Sequence, residues 1–300
     1  MARPWITRRL ADGKPALYYR APVPGGVIFA MKRGSGPRAV LLHGGPGLGA
    51  ESILGLLDEL IDTVEGILPQ QRGMEPSLTS GPRDIETHVA DEIALLDFLE
   101  WDRSWLIGHD WGGHLAMHMA VAHPERVAGL VLIGTLGAVP EGGSGALVEN
   151  LVARLTPDER ARLDPLVARQ AAGDQDPALW EEVMSILWPS YYHDHSMRPV
   201  ELPRIEPPLA GEPGTLASIA EHFEAGTLAR GLPSFAGPAL FLHGDDDPLP
   251  ASASVESAAL IADAEVETIE DCGHYPWLER PGAVRAAVER FLAKSDPGES

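Results

Sequence analysis

Cysteine is nearly missing from this chain: Cys272 is the single one among 300 residues. An internal disulfide and a cysteine-rich metal site are thereby excluded, and a reducing compartment is suited. Basic side chains are outnumbered, 23 Lys and Arg against 44 Asp and Glu, for a formal net charge of −21. Nucleic acid and anionic membrane surfaces would repel such a chain, so neither is expected as a partner. The acidity reads instead as a solvated surface. No apolar run approaches the roughly 20 residues that span a bilayer. Met1 to Leu10 mix Arg, Pro and Trp without the apolar centre of a signal peptide, so the cytoplasm is the expected compartment. There is no internal repeat and no low-complexity tract. What remains, 44% hydrophobic and 22% charged residues, is ample for one large globular domain or a core domain with an insertion.

Ala16 to Arg20 and Val27 to Lys32 read as a hairpin turning through Pro22, Pro24, Gly25 and Gly26. Arg38 to Leu42 is a continuous apolar strand that runs into His43-Gly44-Gly45-Pro46-Gly47, a density of glycine and proline that fixes an unusual backbone path. A helix over Ser52–Ile61, a strand over Val64–Leu68 and an amphipathic helix over Pro82–Glu100 follow. A buried strand through Trp105-Leu106-Ile107, a helix, and a strand over Val127–Gly134 come next. This alternation implies a mostly parallel, twisted sheet flanked by helices on both faces, an α/β fold. From Leu136 to about Gly237 the pattern is helical only, with segments near Ala146–Leu155, Pro157–Ala172, Pro177–Leu187 and Thr215–Ala229. Strand, helix, strand and helix then resume at Pro238–His243, Ser252–Ile261, Ala264–Ile269 and Gly282–Ala293. The expected division is a core of residues 1–135 and 238–300 with a helical cap, 136–237, inserted between two sheet strands.

The chain is organised around Gly108-His109-Asp110-Trp111-Gly112, which has the Gly-x-nucleophile-x-Gly spacing of a nucleophile elbow. A strand turning sharply into a helix leaves no room for side chains beside the central residue. That residue is lifted to the helix N-terminus, where unpaired N–H groups favour negative charge. Here it is Asp110. Two further polar clusters follow strands: His243-Gly244-Asp245-Asp246-Asp247 and Asp271-Cys272-Gly273-His274. Catalytic groups of open parallel sheets gather beyond the carboxyl ends of strands, so Asp110, one of Asp245–Asp247, and His274 can meet. His114 and His118 share a helical spacing with Asp110 but lack an accompanying Glu, and His193-Asp194-His195 reads as a solvated loop. No metal or organic cofactor is implied.

With these residues in order, the chain resembles the α/β-hydrolase fold family over nearly its whole length. His43-Gly44-Gly45-Pro46-Gly47, Gln71-Arg72-Gly73 and Pro124-Glu125-Arg126-Val127 are similar to proline iminopeptidases; Gly108-His109-Asp110-Trp111-Gly112-Gly113 is similar to epoxide hydrolases and haloalkane dehalogenases, whose nucleophile is aspartate. The resemblance implies Asp110 as nucleophile, His274 as base, Asp247 as the acid orienting it, and the N–H groups of Gly45 and Trp111 as an oxyanion hole. It also implies a cis peptide before Pro46, and cap tyrosines, Tyr191 or Tyr192 within Trp188-Pro189-Ser190-Tyr191-Tyr192, as proton donors. Tyr275, beside His274, is a weaker candidate.

The nucleophile decides the chemistry. An aspartate is already ionised near neutral pH. Its attack on an amide would give a mixed anhydride, less stable than the amide, whereas attack on a strained or activated saturated carbon gives an ordinary ester. His274 would then activate the water that hydrolyses this ester. An epoxide leaves as an alkoxide and needs a proton, which a phenol can supply. Many dehalogenases place an Asn where this chain has Gly45, which tips the balance toward an epoxide. The expected activity is opening of an epoxide to a vicinal diol through an ester on Asp110. The cap aromatics (Trp180, Trp188, Tyr191, Tyr192, Phe223) suggest a bulky, apolar small-molecule substrate. A dehalogenase, an iminopeptidase or esterase, and a ligand-binding protein without turnover stay open as alternatives.

Overall fold

The computed structural model describes residues 2–10, 12–139, 141–174, 176–197 and 214–295. Its amino-terminal part is an antiparallel ribbon of β1 (Ile6–Arg9), β2 (Pro15–Val23) and β3 (Gly26–Gly34), the last two closing the expected hairpin where Val23 pairs with Gly26. The strands β4 (Arg38–Leu42), β5 (Glu65–Pro69), β6 (Leu78–Thr79), β7 (Ser104–His109), β8 (Val127–Ile133), β9 (Ala239–Gly244) and β10 (Ala264–Ile269) complete a ten-stranded sheet. Its order is β1-β2-β3-β5-β4-β7-β8-β9-β10, with β6 paired to β3. Every contact from β5 to β10 is parallel, and β3 meets β5 antiparallel.

The continuous apolar runs are explained by burial on both faces. Successive side chains of a strand point to opposite faces. Val40, Leu42, Leu106, Leu130 and Leu132 accordingly join one cluster, with residues of α2 (Ile85–Leu99) and α3 (Trp111–Ala122). Ala39, Leu41, Ile107, Val131 and Ile133 join the other. There they meet Leu56 and Leu57 of the short helix α1 (Leu54–Glu59), which precedes α2 in the chain. Asp84 caps α2 by accepting from the Thr87 N–H at 2.8 Å, which satisfies one of the orphan donors at its start.

Among the described residues five α-helices lie between β8 and β9: α4 (Ser144–Ala153), α5 (Pro157–Ala171), α6 (Pro177–Leu187), α7 (Thr215–Ala225) and α8 (Thr227–Gly231). A full capping box of Thr156 and Glu159 opens α5, whose Leu163 and Leu166 pack on Leu179, Val183 and Ile186 of α6 in a small core of their own. Among the described residues no strand interrupts this stretch; residues 198–213, part of the expected cap, lie outside the described residues. The chain then runs through α9 (Ser252–Ala258), α10 (Pro276–Glu279) and α11 (Ala283–Ser295), whose Val284, Val288 and Phe291 cover the second face of the sheet. Among the described residues no helix is long and apolar enough to cross a membrane.

Candidate active site

β7 ends at His109 and α3 begins at Trp111, so Asp110 alone makes the turn, at φ 53° and ψ −122°. This backbone conformation is costly for a residue with a side chain, on the order of 1–3 kcal/mol, and the surrounding structure must over-determine it. The flanking glycines show how. A Cβ on Gly108 would lie 2.5 Å from the Gly112 carbonyl oxygen, and one on Gly112 would lie 2.1 Å from that of Leu42. Helix and strand therefore approach backbone to backbone, and Asp110 projects beyond the sheet.

Three segments meet that carboxylate. The Gly45 N–H donates to Asp110 Oδ2 at 3.0 Å, from a loop with a cis peptide between Gly45 and Pro46. The Trp111 N–H bonds the same carboxylate. His274, 1% exposed, directs its Nδ1 at Asp247, 3.0 Å from Oδ1 and 2.9 Å from Oδ2. The Leu249 N–H holds Asp247 Oδ1 at 2.8 Å. Space for this pair is cleared by Gly134 at the end of β8, where a Cβ would lie 2.9 Å from Asp247 Oδ2.

Burial is the largest influence on each of the three ionisable groups, and their mutual charges act against it. Burial raises Asp110 above the ordinary carboxylate range, partly opposed by the charge of His274 and by the N–H groups of Gly45 and Trp111. Burial would also lower His274, but Asp247, Asp110 and Glu279 together outweigh it, and the imidazole is raised. Asp247, pulled by His274, is lowered despite its burial. With Nδ1 committed to Asp247, His274 keeps Nε2 as its basic nitrogen.

Of the three aromatic candidates, Tyr191 lies beside His274. Its ring centroid lies 5.3 Å from that of His274, and its phenol is raised by burial first and then by the charges of Asp110 and Asp247. Tyr192 and Trp188 lie further into the core. Both are buried in the second core cluster, where Trp188 Nε1 donates to the Tyr192 hydroxyl at 3.3 Å and stacks on Tyr275 with centroids 5.5 Å apart. Burial pushes the Tyr192 phenol up to about 12. Tyr275 is 2% exposed and sits among His109, Trp277 and His274.

An apolar cleft of about 510 Å³ is lined by Leu136, Leu216, Ile219, Ala220 and Phe223, with Glu141, Ser144 and Glu224 also on its wall. Leu136 adjoins the site, its N–H donating to the Asp110 carbonyl at 3.3 Å. His114 and His118 lie behind it, joined at 3.3 Å through their Nε2 atoms and lowered by burial, His114 to about 4. Among the described residues no cluster of three metal-ligating side chains occurs.

Residues 39–287 match the alpha/beta hydrolase family. The chain belongs to that family. A 2-hydroxymuconate semialdehyde hydrolase of Pseudomonas sp. (strain CF600) is 27% identical over 88% of this hydrolase and 89% of its own length. Epoxide hydrolase 2 of Siraitia grosvenorii is 36% identical over a shorter stretch, 33% of this chain and 32% of that one. Among solved structures, the epoxide hydrolase CorEH without ligand superposes with a TM-score of 0.66 at 20% identity, covering 93% of this chain and 99% of that one.

The structure adds contacts around this candidate site to which the sequence had assigned no role. His109 donates from Nε2 to the His274 carbonyl at 2.9 Å, and its Nδ1 has no hydrogen-bond partner among the described residues. Gln71 links the site's rear: its side chain donates to the His43 carbonyl at 2.9 Å and accepts from Trp111 Nε1 at 2.8 Å. His43 and Gln71 stand in segments the resemblance already marks. Arg154, with no motif around it, donates to the Ser190 carbonyl at 3.0 Å and to Asp246 Oδ1 at 2.9 Å, tying α4 to the turn before Tyr191 and to the acid loop.

Proposed function

We propose that this hydrolase opens epoxides to vicinal diols through an ester on Asp110, acting on a bulky, apolar or aromatic substrate. The observation that carries the reading is a carboxylate at the elbow tip with one oxygen, Oδ2, held by the Gly45 N–H. The other oxygen attacks the less hindered or better activated epoxide carbon. The C–O bond of the ring breaks, and Tyr191 protonates the departing alkoxide. Asp110 loses its charge as this bond forms, which removes one of the charges raising the Tyr191 phenol, so the donor becomes more acidic as the alkoxide develops.

In the second half, His274 Nε2 takes a proton from water, and the hydroxide adds to the ester carbonyl. The oxyanion develops on Oδ2, already bonded by Gly45. Each such donor contributes about 10²–10³ in rate. Collapse of the adduct expels the second diol oxygen. Of the two protons on His274 Nε2 and on the adduct hydroxyl, one goes to this departing alkoxide and the other returns to the Tyr191 phenolate. The Asp110 carboxylate, the neutral imidazole and the phenol are thereby regenerated. The cleft beside Leu136 supports an apolar limb on the substrate.

The relatives' names favour a second reading, hydrolysis of 2-hydroxymuconate semialdehyde. Asp110 argues against it, because carboxylate attack on a carbonyl carbon would form a mixed anhydride. The test is one enzyme preparation offered styrene oxide, a bromoalkane, a chromogenic proline amide and 2-hydroxymuconate semialdehyde. Diol from the epoxide, abolished by Asp110→Ala, is the expected result. Turnover confined to any of the other three, or diol formation unaffected by Asp110→Ala, contradicts the reading.

A further inference from the structure

Glu279 ends α10, in the loop region that follows His274, and is 6% exposed. Its Oε1 accepts from the N–H groups of Gly273 at 3.0 Å and Tyr275 at 3.3 Å. Its Oε2 accepts from Gly273 at 3.1 Å and from the N–H of His193 at 2.8 Å. One carboxylate therefore grips the backbone on both sides of His274, and also the turn that carries Tyr191. These two segments touch directly. The His274 N–H donates to the Tyr191 carbonyl at 2.8 Å, and a Cβ on Gly273 would lie 2.3 Å from that carbonyl oxygen.

We infer that Glu279 is a positioning residue, which fixes His274 against Asp247 and registers the Tyr191 turn upon it. The inference rests on the proposed roles of His274 as base and Tyr191 as proton donor. A carboxylate suits the task for two reasons. It is acceptor-only, so both oxygens can serve converging N–H donors, and its charge adds to those of Asp247 and Asp110 on the imidazole. An amide in its place would turn an NH2 group toward an N–H donor. His274 is otherwise faced by His109, Tyr191 and Tyr275, with ring centroids at 4.4, 5.3 and 5.2 Å.

The test compares Glu279→Gln and Glu279→Asp in the full chain, with melting curves establishing that each is folded. Two readouts are taken: kcat and KM on styrene oxide, and the titration of the His274 imidazole by NMR, assigned by difference with His274→Asn. In Glu279→Gln, kcat should fall about tenfold or more, since a misplacement near 1 Å costs up to about 10²-fold, with KM changing far less. The His274 midpoint should drop by roughly half a pH unit or more for loss of a nearby charge. Glu279→Asp keeps the charge but is one methylene short, and should restore the midpoint while leaving kcat low. If Glu279→Gln does not fold, Glu279→Asp with normal kcat overturns the inference. A folded Glu279→Gln with unchanged kcat and midpoint, or with a lowered melting temperature alone, also overturns it. If the wild-type chain opens no epoxide, the reading of Asp110 fails, while the His274 titration still decides the case of Glu279.

Discussion

Asp110 couples to both His274 and Tyr191, since its charge raises the imidazole and the phenol alike, after the effect of burial on each. In the proposed ester intermediate Asp110 would be neutral, so His274 would lose one of the charges that raise it, and its midpoint there should lie below that of the free enzyme. The two half-reactions consequently separate with pH. Ester formation requires ionised Asp110, whose pKa is raised by burial, and is lost as pH falls through that value. Ester hydrolysis requires neutral His274, and is lost as pH falls through the imidazole midpoint. A His274→Gln variant removes the base altogether, and should still form the ester while hydrolysing it about 10²–10⁴ times more slowly. Intact-mass spectrometry after mixing with styrene oxide should then show a stoichiometric adduct of the epoxide's mass. Absence of any adduct, with diol formation continuing at the wild-type rate, would refute the assignment. At this scale the sequence was readable where a residue stands in a motif. Asp110, Asp247 and His274 do, whereas Glu279 and Arg154 act through backbone atoms of distant segments and leave no local pattern. Tyr191 and Tyr192 are neighbours in the chain, and which of them faces His274 depends on a single 3₁₀ turn, Trp188–Tyr191, that no periodicity reveals.

At the scale of elements, buried strands were legible, and so was the largely exposed β10 over Ala264–Ile269, whereas β1 and β6 were not. β4, β7, β8 and β9 are apolar because both faces of the sheet are covered, and their expected limits fall within two residues of those observed. β1 has three exposed residues among its four, and β6 has two residues, so neither presents a hydrophobic pattern. The helix expected over Thr215–Ala229 is broken at Gly226, where φ of 61° ends α7 before α8 begins. The elbow is the element on which the site depends, and its tolerance is measurable. Gly112→Ala would set a methyl group 2.1 Å from the Leu42 carbonyl oxygen, a backbone atom that cannot rotate aside. Destabilisation of about 1–3 kcal/mol or more is expected, read as a lower melting temperature, together with loss of diol formation as β7 and α3 part. Gly173→Ala is the control: that glycine has φ 89° but no atom within 4 Å of an added Cβ, so strain without collision should lower stability and spare the activity.

On the scale of the whole molecule, the sheet order brings together residues spread over most of the chain. β4, β7, β8 and β9 are adjacent and parallel, so the loops after them converge at one edge and deliver Gly45, Asp110, Gly134 and Asp247 to one place, where His274 arrives after β10. The helices between β8 and β9 bring Tyr191 over that edge. This convergence could be read from the alternation of strands and helices, since connections between parallel strands must cross over and return in the same direction. The depth at which Asp110, Asp247 and His274 are buried could not, because it depends on packing between segments far apart in the chain. The measurement that tests the central claim most directly is a single turnover in ¹⁸O-labelled water with enzyme in excess over styrene oxide. A covalent route through Asp110 predicts first-turnover diol free of label, with ¹⁸O found in the Asp110 carboxylate by peptide mass spectrometry. Label appearing in the first diol formed, with none in Asp110, would mean that water attacks the substrate directly and would contradict the account.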